Sequence, residues 1–455
     1  MSEQEAIREL MTKARAAQRE LSTYSQKQID VIVRAIGKAV FDHAEELAEL
    51  AFEETGMGNV KDKTAKNQGK ARMIWYDLKT KKSIGILAEY PEQGLIEVAK
   101  PIGVIASVTP STNPVVTPMC NAMMAIKCAN AVIIAPHPKA KKLTVRLKEL
   151  WDAELDKLNG PKDAVQVIAE PSLALTDALM RAADAVVATG GTSMVKAAYS
   201  SGKPSYGVGQ GNVQCIFDRD IDIPTAVEET LAGRIFDNGI ICAGEQTVIA
   251  PEENYDEIIA EFGKCGAFYL DDEGAIDRLR DVLFPGGKLY APLVGRSVSK
   301  IMEEAGIVVP EGTTAVIIPR ETAGGSELLS KEKMCPVIAT YDNLADWDEC
   351  IRAAAANLDV EGKGHSVCIH SGNQAHIEQA AEALPVSRFL VGQICSTNNG
   401  GSFFNSLSAT TTLGCGSWGN NSISENLSWR HLFNVSRIAT VRPGSSMPTD
   451  EEIWG

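Results

Sequence analysis

The sequence contains no long apolar run and no excess of positive charge. No stretch approaches the roughly 18 uninterrupted apolar residues that would indicate a membrane-spanning helix. The opening, MSEQEAIRELMTKARAAQRE, lacks the apolar core of a signal peptide, so a cytoplasmic location is expected. The 455-residue chain has 44 Lys and Arg against 59 Asp and Glu, a formal net charge of -15 at pH 7. We therefore expect neither a membrane nor a nucleic acid as partner, although a local anion site is still possible.

The cysteines lack the spacing of a metal site. The chain has ten of them, but they form no CxxC pair and no His/Cys grouping with the spacing of zinc ligands. In a large chain without an export signal they are expected to be mostly reduced thiols. Cys120 and Cys128 lie eight residues apart in an apolar helical stretch, which is typical of core packing. The sequence therefore predicts no bound metal.

Apolar strands that alternate with helical segments indicate an α/β protein. Runs such as AVIIAP, AVQVIA and DAVVATGG are continuously apolar and are separated by helical stretches. Such strands are typical of a parallel sheet covered by helices on both faces. A second series begins after Ile240 with QTVIAP, TTAVIIP and SVCIHSG. Because the chain is long for one core, we expect two α/β domains with parallel-sheet cores plus an appendage.

We predict a cofactor-binding domain at 1–235, a catalytic domain at 236–405 and a return segment at 406–455. Residues of about 86–100 are expected to contribute to a small β arm, in which GLIEVAKP (94–101), which alternates in polarity, pairs with NVSRIATV near the C-terminus. Such an arm exposes unpaired backbone groups at its edge, so a homodimer or homotetramer is expected. The Gly/Ser/Thr/Asn-rich run from Cys395 contains Phe403, Phe404 and Trp418, which favours an ordered loop system over a flexible linker.

Two glycine motifs are candidates for dinucleotide binding. GCGSWG, Gly414 to Gly419, satisfies the GxGxxG pattern, but it has no βαβ context and no acidic residue at the usual distance. We reject it. In DAVVATGGTSMVKAAY an apolar run ends, and a helix begins, at Thr189, Gly190, Gly191 and Thr192. Backbone N–H groups at such a helix start can bind a pyrophosphate, although a plain strand-to-helix turn is the alternative.

Cys242 stands in FDNGIICAGEQ, between an apolar pair and a small, polar run. Such a cysteine is either a buried hydrophobe or a nucleophile. Six motifs bear on the choice: TPSTNP, IIAPHPKAK, ATGGTSMVKAAY, FDNGIICAGEQ, KEKMCPV and TLGCGSWGNNSISEN. In this order and from end to end, the chain resembles the coenzyme A-acylating branch of the aldehyde dehydrogenase superfamily, and within it most nearly the succinate-semialdehyde and sulfoacetaldehyde enzymes.

The resemblance implies an aldehyde dehydrogenase-like fold, with Cys242 as nucleophile, NAD or NADP as cofactor and coenzyme A as co-substrate. A thiolate that attacks an aldehyde forms a thiohemiacetal, whose oxyanion needs fixed hydrogen-bond donors. Transfer of hydride to the nicotinamide then leaves a thioester on the enzyme. Asn113, together with the backbone N–H of Cys242, resembles the family's oxyanion donors. By itself, Asn113 could equally be a turn residue before Pro114.

Other positions match the family's cofactor site. Glu332 of KEKMCPV occupies the place that contacts the nicotinamide ribose, unless it is a solvated loop acid. His137, between two prolines, is expected to contact the cofactor or CoA, since the family uses one cleft successively for both. The cofactor-binding residues that the resemblance implies are Thr109, Pro110, His137, Thr189, Gly190, Gly191, Thr192, Gly207, Val208, Gly209 and Glu332.

Gly207 departs from the hydrolytic aldehyde dehydrogenases. Those enzymes carry a glutamate in an ELGGK-type motif, where it activates the water that releases the acid. Here the matching stretch is YGVGQGN, and Gly207 takes the place of the glutamate. Without that base another nucleophile must release the acyl group, and the thiol of CoA needs less activation than water. A positive φ is one reason for a glycine at this position.

His365 in GKGHSVCIHSG is a further catalytic candidate. In relatives a histidine in a similar context is thought to lie near the thiol chemistry, where imidazole could take the CoA proton. A lone histidine is more often structural.

The identity of the substrate is the property that the sequence indicates least. Ser111, Thr112, Ser396, Thr397 and Asn398 are the implied substrate contacts, neutral donors without an arginine clamp. We expect reversible conversion of a small, anionic aldehyde, succinate semialdehyde or sulfoacetaldehyde, with CoA and NAD(P)+ to an acyl-CoA and NAD(P)H. A short neutral aldehyde such as acetaldehyde, a hydrolytic activity and an inactive scaffold are the alternatives.

Overall fold

The computed structural model describes residues 3–455, which form two parallel sheets, a small antiparallel sheet and the helices around them. The elements up to the end of the first sheet are α1 (Glu3–Leu21), α2 (Gln26–Asp42), α3 (Ala44–Thr55), α4 (Val60–Leu78), β1 (Gly85–Tyr90), β2 (Leu95–Pro101), β3 (Val104–Thr109), α5 (Val116–Lys127), β4 (Ala131–Pro136), α6 (Lys141–Lys157), β5 (Val165–Val167), α7 (Leu173–Ala182), β6 (Ala185–Thr189), α8 (Thr192–Tyr199) and β7 (Ser205–Val208). The remaining elements are β8 (Val213–Phe217), α9 (Ile223–Ile235), β9 (Glu245–Ile249), α10 (Glu252–Lys264), β10 (Ala267–Tyr269), α11 (Glu273–Leu283), α12 (Val298–Glu304), β11 (Ala315–Pro319), β12 (Val337–Thr340), α13 (Trp347–Val360), β13 (Val367–His370), α14 (Gln374–Ala383), β14 (Phe389–Val391), α15 (Cys395–Asn398), β15 (Phe433–Ala439) and α16 (Asp450–Trp454). Within residues 3–455, no helix combines the length and the apolar character needed to cross a membrane.

The first sheet has the strand order β5-β4-β3-β6-β7, and every pair in it is parallel. Its strands are continuously apolar because both faces are covered. Ile105 on one face packs in a cluster with Met123 of α5, while Val104 on the other packs with Ile7 of α1 and Leu179 of α7. The predicted α/β fold with a parallel core is confirmed.

The second sheet has the order β10-β11-β12-β9-β8-β13-β14, again all parallel. Its strand β8 lies well before the domain boundary that the sequence analysis places at Phe236. The chain passes from the first sheet to the second between Val208 and Val213, through four residues, so 213–235 belongs with the second sheet. The change of sheet therefore precedes the predicted boundary at 235, and the division into a cofactor-binding and a catalytic domain stays a prediction. Cys242 therefore lies between helix α9 and strand β9 of the second sheet.

The third sheet is the antiparallel arm β1-β2-β15. Val98 of β2 pairs with Ser436 of β15, so GLIEVAKP and NVSRIATV pair as predicted. The outer strand β1 leaves Ile86 42% exposed, and Ile438 of β15 is 52% exposed. The exposed apolar edge is what an oligomerisation arm requires, and the homodimer or homotetramer stays a prediction.

Helix α4 brings positive charge into the interior. Helix α3 ends at Gly56, whose left-handed φ of 64° caps it and turns the chain into α4. Asn59 caps α4 by accepting a hydrogen bond from the backbone N–H of Asp62. One turn apart along this helix, Lys63 and Lys66 are both buried. Buried lysines need partners, and both of these contact Asp237, in the loop that leads to Cys242.

Candidate active site

The loop between α9 and β9 presents Cys242. Asp237 and Asn238 have left-handed φ angles of 51° and 55°, and Gly239 follows with 71°. These three residues reverse the chain, and the next turn delivers Cys242 half-buried while Ile240 packs in the core. A Cβ at Gly211 would lie 1.8 Å from the carbonyl oxygen of Cys242. Only glycine therefore lets the segment that joins the two sheets approach this loop.

Two cavities meet at Cys242. One has a volume of about 320 Å³ and the other about 530 Å³. Asn113, Cys242 and Thr411 line both. A group bound to Cys242 in the first cavity would therefore lie next to a ligand in the second, close enough for a hydride to pass from one to the other.

The second cavity lies at the carboxyl ends of β3, β4, β6 and β7, where open α/β sheets bind ligands. Most of the predicted cofactor residues line it: Thr109, Pro110, His137, Thr189, Gly190, Gly191, Val208, Gly209 and Glu332. Nothing lies within 4 Å of a Cβ placed at Gly191, so the backbone at the start of α8 is open to a ligand. Ser111 and Thr112, predicted as substrate contacts, line this cavity rather than the first.

Thr192 and Gly207 do not line the second cavity. The Thr192 hydroxyl donates to the side chain of Gln210 at 2.9 Å and borders a separate surface cavity. A Cβ at Gly207 would lie 2.5 Å from Val195 Cγ1. The φ of Gly207 is not in the left-handed region, so helix α8, and not backbone strain, excludes a side chain there.

The first cavity combines an apolar wall with polar and charged groups. Phe236, Phe403 and Phe404 line it, together with the predicted substrate contacts Ser396, Thr397 and Asn398 of α15. Lys66 and Lys70 of α4 also line it. The sequence analysis missed both lysines, because lysines on an amphipathic helix usually face solvent.

Comparison with known proteins agrees with this arrangement. Residues 1–265 match the model of the aldehyde dehydrogenase family. The chain belongs to this family. It is similar to the acetylating succinate-semialdehyde dehydrogenase of Clostridium kluyveri, with 50% identity over 100% of both chains. Its fold is similar to an acetylating aldehyde dehydrogenase of Geobacillus thermoglucosidasius, with 35% identity, 98% of each chain and a TM-score of 0.94. It also resembles a propionaldehyde dehydrogenase of Rhodopseudomonas palustris solved with bound propionyl-CoA, with 25% identity, 96% of this chain, 94% of that chain and a TM-score of 0.85.

These relatives place the chain in the CoA-acylating branch of the aldehyde dehydrogenases. The predicted enzyme class and the predicted cofactors, NAD or NADP with CoA as co-substrate, are confirmed.

Cys242, the predicted nucleophile, is a neutral thiol in the ligand-free protein. Burial raises the pKa of Cys242 to about 12, and the nearby Glu332 contributes in the same direction, while Arg388 opposes it. Burial and the charge of Glu361 raise the pKa of Glu332 itself to about 8. Glu332 Oε1 is buried without a hydrogen-bond partner. A ribose hydroxyl in the second cavity would supply that partner, as the resemblance implies.

We expect Glu332→Gln to accelerate alkylation of Cys242 by iodoacetamide above about pH 8, and to have little effect near pH 6. Below pH 8 the wild-type carboxyl is protonated, so glutamine reproduces its charge. Above pH 8 the carboxylate holds the pKa of Cys242 up, and its removal increases the thiolate fraction. Rates would be followed by peptide mass spectrometry from pH 6 to pH 9. A variant-to-wild-type ratio that is constant with pH would contradict this coupling.

His365 lies outside the linings of both cavities. It is fully buried, its Nδ1 lies 3.1 Å from the Ser366 hydroxyl, and Arg388 donates to its carbonyl oxygen at 2.9 Å. Burial and the Arg388 charge lower the pKa of His365 to about 3, so the ring is neutral. Its Nε2 is buried without a partner. A neutral imidazole can still accept a proton, and the catalytic role of His365 stays a prediction.

His137 borders the second cavity as a neutral ring. Its Nδ1 accepts a hydrogen bond from the backbone N–H of Lys139 at 3.1 Å. Burial and the charge of Lys139 lower the pKa of His137. The Nε2 side can then donate to a ligand hydroxyl or phosphate.

One group in residues 3–455 has the composition of a metal site. Cys215 of β8 and Cys368 and His370 of β13 are all buried, with donor atoms within 4.8 Å of one another. The sequence analysis missed this group because neighbouring strands supply its members. The Cys368 thiol also hydrogen-bonds the Gln393 carbonyl, and the Cys215 thiol lies 3.3 Å from the Thr230 hydroxyl. These contacts account for the group as a hydrogen-bonded part of the core, and it lines neither cavity.

Proposed function

We propose that this acylating aldehyde dehydrogenase acts on a small anionic aldehyde, with succinate semialdehyde the first candidate and sulfoacetaldehyde the second. The observation that carries the proposal is Lys70, whose ammonium lines the first cavity without a carboxylate partner among residues 3–455. Its one hydrogen bond goes to the Gly400 carbonyl at 3.3 Å. A substrate carboxylate or sulfonate would complete this site.

The second cavity fits a nicotinamide cofactor. Gly191 offers open backbone at the start of α8, and Glu332 offers an unpartnered buried oxygen. When bound, the cofactor supplies the hydride acceptor for aldehyde oxidation. The same cleft is expected to receive CoA afterwards, as the family resemblance implies.

The protein's own groups account for the acylation steps. Cys242 gives its proton to solvent and attacks the aldehyde carbon in the first cavity, where Asn113, which lines the same cavity, would hold the oxyanion. Oxidation leaves a thioester on Cys242. At Gly207 there is no carboxylate to activate water, so the thiol of CoA releases the acyl group and restores Cys242. Exchange of one thioester for another keeps the reaction reversible.

We expect Lys70→Met to raise KM for succinate semialdehyde roughly tenfold to a hundredfold, with little change for butyraldehyde. Both aldehydes have four carbons, but only the first carries a charge that Lys70 can bind. Burial lowers the pKa of Lys70 to about 8, so the wild-type KM for the anion should rise as the pH rises through about 8. The Lys70→Met variant should lack that rise. NAD(P)H absorbance at saturating CoA measures each case.

Sulfoacetaldehyde serves as the second anion and acetaldehyde as the short neutral aldehyde. A wild-type preference for acetaldehyde would reject the anionic substrate class. Equal losses for charged and neutral aldehydes in Lys70→Met would mean that Lys70 supports the loop at Gly400 and does not bind the substrate.

A further inference from the structure

The amide of Asn113 has one orientation that its neighbour permits. Lys66 Nζ donates to Asn113 Oδ1 at 2.9 Å. An ammonium group has three donors and no acceptor, so the amide must turn its oxygen toward Lys66. The usual ambiguity between amide oxygen and nitrogen is thereby removed. The N–H donors of Asn113 then point away from Lys66, in a residue that lines both cavities with Cys242.

Lys66 is itself held by the loop that carries the nucleophile. Its Nζ donates to Asp237 Oδ2 at 2.6 Å, and Asp237 is fully buried. Asp237 Oδ1 accepts from the backbone N–H of Asn59 at 3.0 Å, and its own N–H donates to Asp62 at 2.8 Å. These bonds fix Asp237 in its left-handed conformation, five residues before Cys242.

The charges agree with this connection. Burial would raise the pKa of Asp237, but the ammonium groups of Lys66 and Lys63 outweigh it and hold the pKa below its usual range. Burial and the charge of Lys66 lower the pKa of Lys63 to about 8. Lys63 contacts Asp237 at 3.1 Å, while the hydrogen bond to Asn113 comes from Lys66. Both lysines therefore contact Asp237, but only Lys66 also contacts the oxyanion donor Asn113.

We propose that Lys66, anchored by Asp237, is the positioning residue for the oxyanion donor of this enzyme. The inference rests on the proposed acylation chemistry. Lys66 locks the Asn113 amide with its N–H toward the substrate oxygen and polarises that amide, which makes it a stronger donor. Asp237 couples this lock to the Cys242 loop, so that donor and nucleophile keep one relative position. A donor that is already oriented needs no reorganisation when the oxyanion forms.

A double-mutant cycle with Lys66→Met and Asn113→Ala tests the proposal. Removal of one oxyanion donor typically lowers kcat about 100-fold to 1,000-fold, which is the loss expected for Asn113→Ala. If Lys66 acts through Asn113, Lys66→Met should lower kcat roughly tenfold to a hundredfold alone and little further in the Asn113→Ala background. Losses that multiply in the double variant would overturn the proposal. Lys66→Arg, which keeps a donor cation, should recover part of the loss.

Two controls separate positioning from general damage. Lys63→Met removes a buried ammonium from the same helix, which also contacts Asp237, but leaves the hydrogen bond from Lys66 to Asn113. It should therefore change thermal stability with a much smaller loss of kcat.

The second control is alkylation of Cys242 by iodoacetamide, which forms no oxyanion. Its rate should stay near the wild-type value in Lys66→Met, and a rate that falls in parallel with kcat would show that Lys66 acts on the thiol or its loop. Wild-type protein must first form acyl-CoA in the same assay, so failure of the proposed function is seen separately.

Discussion

Without CoA, the wild-type protein given succinate semialdehyde and NAD(P)+ should release about one equivalent of NAD(P)H per active site and then stop. The first equivalent reports oxidation of the thiohemiacetal on Cys242. The stop follows because Gly207 offers no carboxylate to activate water, so the thioester persists. Addition of CoA should restart turnover and yield an acyl-CoA. Stopped-flow absorbance gives the burst amplitude, and mass spectrometry of the stalled protein should find the acyl group on the peptide that contains Cys242.

Sustained turnover to a free acid without CoA would contradict this account. The structure then indicates where to look, because Glu332 lines the second cavity beside Cys242 with a pKa raised to about 8. A carboxylate with that pKa can act as a general base. Glu332→Gln should restore the stall if it is responsible. Gly207→Glu is a poor reverse test, because its Cβ would lie 2.5 Å from Val195 Cγ1.

The sequence was sufficient for the α/β class because that class depends on local order, whereas the role of Cys242 as nucleophile comes from the family resemblance and stays a prediction. Continuous apolar strands alternating with helices specify covered parallel sheets. The six motifs place Asn113, Cys242 and Glu332 in one family pattern, and the structure brings these three to the lining of one cavity. The prediction that the two segments of the arm pair was also local, because each alternates in polarity.

Tertiary contacts determine the features that sequence reasoning missed. Strand β8 is a short apolar run like those of the first sheet, and nothing within it specifies which sheet it joins. Lys66 and Lys70 are of the residue type expected on a solvated helix face. In the fold, however, Lys66 contacts Asp237, and both lysines line the first cavity. Gly207 has no positive φ, contrary to the reason that the sequence suggested, and the space for a side chain there is taken by Val195 and Tyr199 of a helix packed against it.

Replacement of Cys242 with alanine should abolish acyl transfer, with a loss of at least about four orders of magnitude in kcat. The carbonyl carbon then has no nucleophile, and neither hydride transfer nor thioester exchange can proceed. Cofactor binding should survive, because Thr109, Gly190 and Glu332 among others form the second cavity. Cofactor fluorescence titration and NAD(P)H absorbance measure the two properties on the same preparation.

Cys265→Ala is the matched control for this experiment. Cys265 is also a half-buried free thiol, but it lines neither cavity. It should keep near-normal turnover, which shows that loss of an accessible thiol is not itself damaging. The raised pKa of Cys242 makes general thiol reactivity a weak guide to the nucleophile in the ligand-free protein, so the comparison must rest on turnover. Near-normal turnover in Cys242→Ala would reject the thioester mechanism. It would also reject the proposed roles of Asn113 as oxyanion donor and of Lys66 as its positioning residue, because only attack by Cys242 creates the oxyanion.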